Sequence, residues 1–356
     1  MAYSAIIKPT DYFNTKLWTG TGSSNSITGV GFQPDFCWVK QRSGTENYFL
    51  NNAIQGSTTV LQSDTSAAAQ TSSAGMTSFD SDGFTVNTDT GFNGSGSTYV
   101  GWNWKANGAG SANSDGSANS VTVSANTTAG FSLVQFECTQ SAISVGHGLG
   151  AAPEAIFMKQ TSTGTSNWIV GGFGLSWNGY FVLNLSNAFY NSGDSSSGSG
   201  RMFKAGGTEP TSTVWYTNGS AFLSGSTQTV LAYCFRSIKG YSKIGNYEGT
   251  GVSDGPFINT GFKPNFVMIK SQGSESWYIM DTKRIGFNTK NYYLTPNNTS
   301  AEGTSATVAM SLYSNGFKIN NTDTSMNTDG ETYCYMAFAE APFVANVDGG
   351  LPVTAR

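Results

Sequence analysis

One phrase occurs three times in this chain. Gly31-Phe32-Gln33-Pro34-Asp35-Phe36-Cys37-Trp38-Val39-Lys40 returns as Gly150-Ala151-Ala152-Pro153-Glu154-Ala155-Ile156-Phe157-Met158-Lys159 and as Gly261-Phe262-Lys263-Pro264-Asn265-Phe266-Val267-Met268-Ile269-Lys270. The frame is Gly-x-x-Pro, then an apolar run closed by a lysine. Gly31, Pro34, Lys40, Gly150, Pro153, Lys159, Gly261, Pro264 and Lys270 therefore define the repeat. Starting at residues 31, 150 and 261, the copies are spaced like small domains, not like solenoid units of roughly 20 to 50 residues. The chain must fold as three related modules.

Other landmarks keep the same order. After each lysine comes an aromatic residue, Tyr48, Trp168 or Trp277, and later a turn before a phenylalanine: Asp82-Gly83-Phe84, Asn218-Gly219-Ser220-Ala221-Phe222 and Asn315-Gly316-Phe317. Each copy closes on Thr98-Tyr99-Val100-Gly101-Trp102-Asn103-Trp104, Thr229-Val230-Leu231-Ala232-Tyr233-Cys234-Phe235 or Thr332-Tyr333-Cys334-Tyr335-Met336-Ala337-Phe338. Each opens on a similar stretch, 13–18, 131–136 or 241–247. The modules span 11–107, 129–239 and 240–345, with a tail over 346–356.

The local chemistry points to strands. Proline lacks an N–H and holds φ near −65°, which suits the first residue of a strand or an edge. Asp-Gly and Asn-Gly supply the positive φ of tight hairpins, and alternation follows at Phe84, Val86 and at Phe317, Ile319. No long segment carries a helical period. The expected fold is all-β, three tandem divergent modules of β-sandwich or jelly-roll type, with strand order left open.

Composition then removes whole classes of function. Only 11% of the 356 residues are charged while 44 are glycine, so the surface is mostly Ser, Thr, Asn and Gly. With 18 basic against 22 acidic residues, little is available to neutralise phosphates, which disfavours nucleic acid and strongly anionic membranes. The N-terminus lacks a signal-peptide core and no apolar run reaches 18 residues, so synthesis in the cytoplasm without membrane insertion is expected. Cys37, Cys138, Cys234 and Cys334 stand singly in strand segments and read as reduced, buried small hydrophobes.

Residues 108–128, rich in Gly, Ser and Asn, read as a flexible linker that would let the first module move. No spacer separates modules two and three, which should pack rigidly. A Ser/Gly tract over 192–200 reads as an exposed loop.

Catalytic constellations are hard to assemble from this inventory. The single histidine, His147, reads as a surface or turn residue, and there is no C-x-x-C spacing for a metal cage. Asp80-Ser81-Asp82-Gly83 lacks the closing Glu of a calcium loop and reads as a turn. No enzyme activity, metal or cofactor is expected. Aromatic faces flanked by Asn and Ser are natural glycan contacts. Trp177, Tyr180 and Trp215 are the candidates, whereas Trp102 and Trp104 share a strand face with Tyr233/Phe235 and Met336/Phe338 and read as core.

Several phrases resemble a known family. Tyr12-Phe13-Asn14-Thr15, Ile27-Thr28-Gly29-Val30-Gly31-Phe32-Gln33-Pro34-Asp35, Tyr99-Val100-Gly101-Trp102-Asn103-Trp104-Lys105, Val145-Gly146-His147-Gly148-Leu149-Gly150, Lys239-Gly240-Tyr241-Ser242-Lys243 and Pro352-Val353-Thr354-Ala355-Arg356 are similar to virion structural, tail-fibre-like proteins of marine tailed bacteriophages, including cyanophages. The resemblance runs the full length and implies a place on the phage particle; it transfers no catalytic or binding residue. The expected function is a phage virion structural protein, an exposed appendage or tail-fibre-like component contacting host-surface glycan. Two alternatives stand beside it: a capsid or tail decoration (cement) protein that binds only other virion proteins, and a polysaccharide depolymerase. Expected partners are other virion proteins and host polysaccharide, with a homotrimer as the assembly of a fibre.

Overall fold

The computed structural model describes residues 6–191, 202–218, 223, 225–284, 288, 291–305 and 307–342. The expected loop over 192–200, most of the turn at 218–222 and the tail at 346–356 lie outside the described residues.

The chain is nearly all β, in antiparallel sheets. The main sheet of repeat one runs in spatial order Phe13–Thr19, Thr98–Trp104, Phe36–Gln41, Tyr48–Asn52, Gly56–Gln62 and Gln70–Thr71. Repeat two follows the same plan with Phe131–Thr139, Thr227–Phe235, Ala155–Gln160, Ile169–Gly172 and Gly179–Val182. Repeat three has Ser242–Glu248, Thr332–Pro342, Phe262–Ser271 and Trp277–Asp281. In every copy the closing strand lies between the opening strand and the Gly-x-x-Pro strand. A smaller outer sheet covers each main sheet. It is Asn25–Thr28, Gly83–Val86 and Met76–Asp80 in repeat one, Ala142–Gly146 and Val214–Asn218 in repeat two, and Phe257–Asn259, Gly316–Ile319 and Met310–Tyr313 in repeat three.

The Gly-x-x-Pro frame is a backbone device. Gly31, Gly150 and Gly261 have φ of 93°, 70° and 79°, a region that costs an L side chain strain and glycine none. The chain reverses there and re-enters the sheet. Pro34 and Pro153 precede the first strand residue, and Pro264 sits where the ladder between Phe262–Ser271 and Thr332–Pro342 shifts register, so no ladder bond depends on a missing N–H.

Each Gly-x-x-Pro strand is buried on both faces, which explains its unbroken apolar run. Cys37 and Val39, Ile156 and Met158, and Val267 and Ile269 face the outer sheets and form three separate sandwich cores. The alternate residues face one shared core. Phe36, Trp38, Trp102 and Trp104 of repeat one meet Phe157, Tyr233 and Phe235 of repeat two and Phe266, Met268, Met336 and Phe338 of repeat three in a single cluster. The three main sheets therefore enclose a common centre, and the three tandem modules close into a ring.

Closure is visible in bonds that recur in cyclic order. Ala69 N–H donates to Thr161 O at 3.1 Å, Phe189 N–H to Gln272 O at 2.8 Å, and Glu302 N–H to Arg42 O at 2.9 Å. Each acceptor stands two residues after the repeat's lysine. Indole N–H groups cross two of the seams as well, Trp168 to Gln62 O at 2.8 Å and Trp277 to Val182 O at 3.2 Å. Tyr48 takes the corresponding place at the third seam, where its buried hydroxyl has no bond of regular geometry.

Two expectations are corrected here. The stretch 108–128 is not a flexible spacer: Ser111–Ala112 and Asn119–Asn126 are strands added to the opening strand of repeat two, with Val121 and Val123 buried in its core. Valines two apart outweighed the surrounding Gly, Ser and Asn, because one face of that segment meets an apolar sheet. Nor is the first repeat free to move, since it is bonded to repeat two at one seam and to repeat three at another.

Candidate functional site

Lys40, Lys159 and Lys270 close the inward-facing row of their strands and are fully buried. Their stems lie along the shared core, and the ammonium groups collect main-chain carbonyls at its rim. Lys159 Nζ donates to Ser66 O at 3.1 Å, Gln160 O at 3.1 Å and Ser166 O at 2.7 Å. Lys40 reaches Gly44 O, Glu46 O and, across the seam from repeat three, Thr299 O at 3.0 Å. Lys270 donates to Ser271 O at 2.8 Å and Gly273 O at 2.7 Å and lies 5.5 Å from the ring centre of Phe181 of repeat two. Burial lowers all three to about 8. They pin loops and seams together.

The seam from repeat three to repeat one adds an ion network. Arg284, 1% exposed, donates to Asp281 Oδ2 at 2.7 Å and to Glu302 Oε1 at 3.1 Å, and Glu302 accepts from Arg42 at 2.7 Å. Trp102 Nε1 donates to the same Asp281 oxygen at 3.0 Å. Burial opposes the guanidinium charge, but the two carboxylates outweigh it together and raise Arg284 above its ordinary value. Every partner of this network is consumed inside the protein.

His147 is buried, contrary to the expected surface position. Its Nδ1 accepts from Leu149 N–H at 3.1 Å, which leaves the proton on Nε2, 3.2 Å from Thr211 O. Burial lowers its pKa and favours the neutral ring. Among the described residues its ring nitrogens meet main-chain groups, not a nucleophile. The four cysteines are buried free thiols, with Cys138 pushed up to about 12 by burial. Asp82 makes the expected turn, its carboxylate accepting from Gly29 and Gly31 N–H at 2.9 and 2.7 Å. Among the described residues, no group of three or more His, Cys, Asp or Glu is placed to hold a metal ion.

The aromatic candidates separate by burial. Trp215 lies between the two sheets of repeat two, fully buried and edge-on to Phe136 at 5.5 Å, so it offers no face to a ligand. The alternation of Val214–Asn218 turned it inward. Trp102, Trp104, Trp168 and Trp277 are buried too. Trp177 and Tyr180 are half-buried beside the edge strands of repeat two that border repeat three. Trp177 packs on Phe203 at 5.9 Å, and Tyr180 stacks on Tyr190 at 5.0 Å with ring planes 15° apart. Tyr190 is exposed, and its hydroxyl accepts from Asn187. The structure thus joins one of the three predicted residues, Tyr180, to Tyr190 in an aromatic ledge, with Trp177 three residues before Tyr180 and packed on Phe203 instead.

The family described as a domain of unknown function (DUF7483) matches residues 8–342. The chain belongs to this family. No curated protein matches it. The DUF7483 match begins before the first opening strand and ends on the last residue of the third closing strand. The family unit is therefore the whole ring, as expected when all three copies share one core.

Sequence reasoning passed over two signals in this DUF7483 chain. Tyr190 lies only two residues before the Ser/Gly tract and drew no notice beside it. Asn87-Thr88-Asp89-Thr90-Gly91-Phe92-Asn93 recurs as Asn321-Thr322-Asp323-Thr324-Ser325-Met326-Asn327. Asp89 and Asp323 cap the short helices Thr90–Asn93 and Thr324–Asn327. The buried Asn93 and Asn327 bind the loop after the opening strand, accepting from Thr21 N–H at 3.0 Å and Thr250 N–H at 2.8 Å.

Proposed function

We propose that this protein is a structural component of a phage particle, an exposed appendage or tail-fibre-like part that contacts host-surface glycan through the aromatic ledge of repeat two. The observation that carries the reading is the Tyr180–Tyr190 stack, with Tyr190 exposed and Trp177 half-buried three residues before Tyr180. A flat pair of rings held at one edge suits the apolar face of a sugar, and Asn187, whose amide also donates to Tyr190, stands beside it for the sugar hydroxyls. The phrase-level resemblance to virion proteins and the weakly charged surface support the same reading. The test is binding of purified protein to host envelope polysaccharides. Loss of binding on Tyr190→Ala and Trp177→Ala is the expected result; silence across those polysaccharides counts against the proposal.

One observation favours the decoration reading as well. Three sheets bonded in cyclic order give a monomer a threefold plan, which fits a symmetric mount on a capsid or tail. Imaging of intact particles separates the two readings: a distal position supports the appendage, and a flat seat over capsomers supports the cement protein.

A further inference from the structure

The outer sheets of repeats one and three share a register, so each position in one has a counterpart in the other. Pairing through Phe84 and Phe317 matches Ile27 with Ile258, Ser26 with Phe257, Thr85 with Lys318 and Asp80 with Tyr313. The inward pair is kept, with Ile27, Ile258, Phe84 and Phe317 all buried. The outward strip is not kept. In repeat one it is polar: the Ser26 and Thr85 hydroxyls are 3.0 Å apart, and Thr85 donates to Asp80 at 2.7 Å. In repeat three two rings replace it, Phe257 at 45% and Tyr313 at 42% exposure, meeting edge to face at 5.9 Å. The fold stands without aromatic residues at these points, because repeat one is built that way.

We infer that Phe257 and Tyr313 form a second glycan-contact site, on the outer sheet of repeat three, which takes a single pyranose ring. This rests on the glycan reading above. Size selects the ligand. Aromatic side chains of about 150–250 Å² each, less than half exposed, offer together roughly 200 Å², far below the roughly 800 Å² per partner of a stable protein interface. Rings set 73° apart form a corner, in which the C–H face of a sugar stacks on one ring and touches the edge of the other. Asn259 stands on the same strand face as Phe257, two residues along; its Oδ1 accepts from Gly261 N–H at 2.8 Å, which leaves the amide NH2 to donate beside that corner. The cation within the strip, Lys318, is paired with Asp254, so the rings dominate the contact.

The test uses the full chain and its internal control. The double variant Phe257→Ser, Tyr313→Asp installs the residues that repeat one carries at these positions, and its thermal midpoint should match that of the parent. Calorimetric titration with neutral hexaoses of glucose, mannose and galactose, and with an acidic uronate hexaose, is run on the parent, the double variant and Tyr190→Ala. Two sites are expected on the parent and one on each variant, with tenfold or greater weakening at the site removed; Tyr313→Phe, which keeps the ring, should bind within threefold of the parent. Unchanged affinity and stoichiometry in the double variant, with binding lost in Tyr190→Ala, overturns the second site and leaves the ledge standing. Absence of binding by the parent to every hexaose overturns the glycan reading and this site with it.

Discussion

Replacing Lys159 by methionine isolates the cost and benefit of a buried cation at a seam. The methylene stem is retained, while the donors to Ser66 O, Gln160 O and Ser166 O are lost. Ser66 O keeps a bond from Ser166 N–H at 3.0 Å, so Gln160 O and Ser166 O are the acceptors that lose the lysine, at about 1–3 kcal/mol each. Against this, Lys159 gives up a penalty. Burial lowers it from 10.5 to about 8, and about 1.4 kcal/mol per pH unit makes that roughly 3 kcal/mol in the protonated state. The net expectation at pH 7 is a loss of about 1 kcal/mol. The pH dependence carries a separate signature. Between pH 8 and about 10 the unfolded chain keeps a proton that the folded lysine releases, so this group's contribution to stability rises with pH. Methionine has no such slope. The stability gap between parent and variant should therefore widen by about 2 kcal/mol from pH 8 to pH 9.5. Urea unfolding followed by tryptophan fluorescence at both pH values measures it, and groups that titrate alike in both proteins cancel in the difference. A gap that stays flat with pH, or a variant as stable as the parent at pH 7, would refute the buried clamp.

Three further outcomes follow from the same geometry. Arg284→Met removes the main partner of Asp281, a carboxylate with no solvent exposure, and should cost about 3–5 kcal/mol; chemical denaturation measures it, and a cost under 1 kcal/mol would show that the network is hydrated. Trp277→Phe deletes the indole bond to Val182 O at 3.2 Å and should cost about 1–2 kcal/mol, with amide exchange accelerated at both edges of the seam between repeats two and three; exchange confined to repeat three would argue against ring closure there. Cys37, Cys138, Cys234 and Cys334, all buried and raised, should resist a thiol reagent until the protein unfolds. Their folded pKa values lie above the unfolded one, so each thiol withdraws about 1.4 kcal/mol of stability per pH unit above roughly 8.5; replacing any one by Ser or Ala should flatten the alkaline decline.

Much of the architecture was legible from residue patterns. The Gly-x-x-Pro frame located three strand entries because only a positive φ followed by a fixed φ satisfies that turn, and Phe84 and Phe317 marked the hairpins of the outer sheets. Legibility failed where a residue's meaning depended on its neighbours in space. His147 and Trp215 stand in turn-like or polar surroundings along the chain, yet both are interior because the small outer sheet, which His147 follows and Trp215 belongs to, lies against the main sheet. Ser111–Ala112 and Asn119–Asn126 looked like a spacer by composition and became strands because an opening strand offered them an edge. Of the stacked pair, Tyr180 stands out in the sequence and Tyr190 does not, since stacking across two strands needs a register that sequence does not state.

The sequence alone determined that there would be three copies of one β unit, where each would turn and which residues would alternate, since these follow from φ preferences and a period of two. It did not determine what the inward rows would meet. Strands apolar on both faces are compatible with three separate sandwiches and with three sheets around one centre. The choice fell to long-range contacts: Trp168 and Trp277 reaching the preceding repeat, and Lys40 reaching repeat three. Those pairings are set by the shape of the assembled sheets, and burial of a face is satisfied by any apolar surface that fits it.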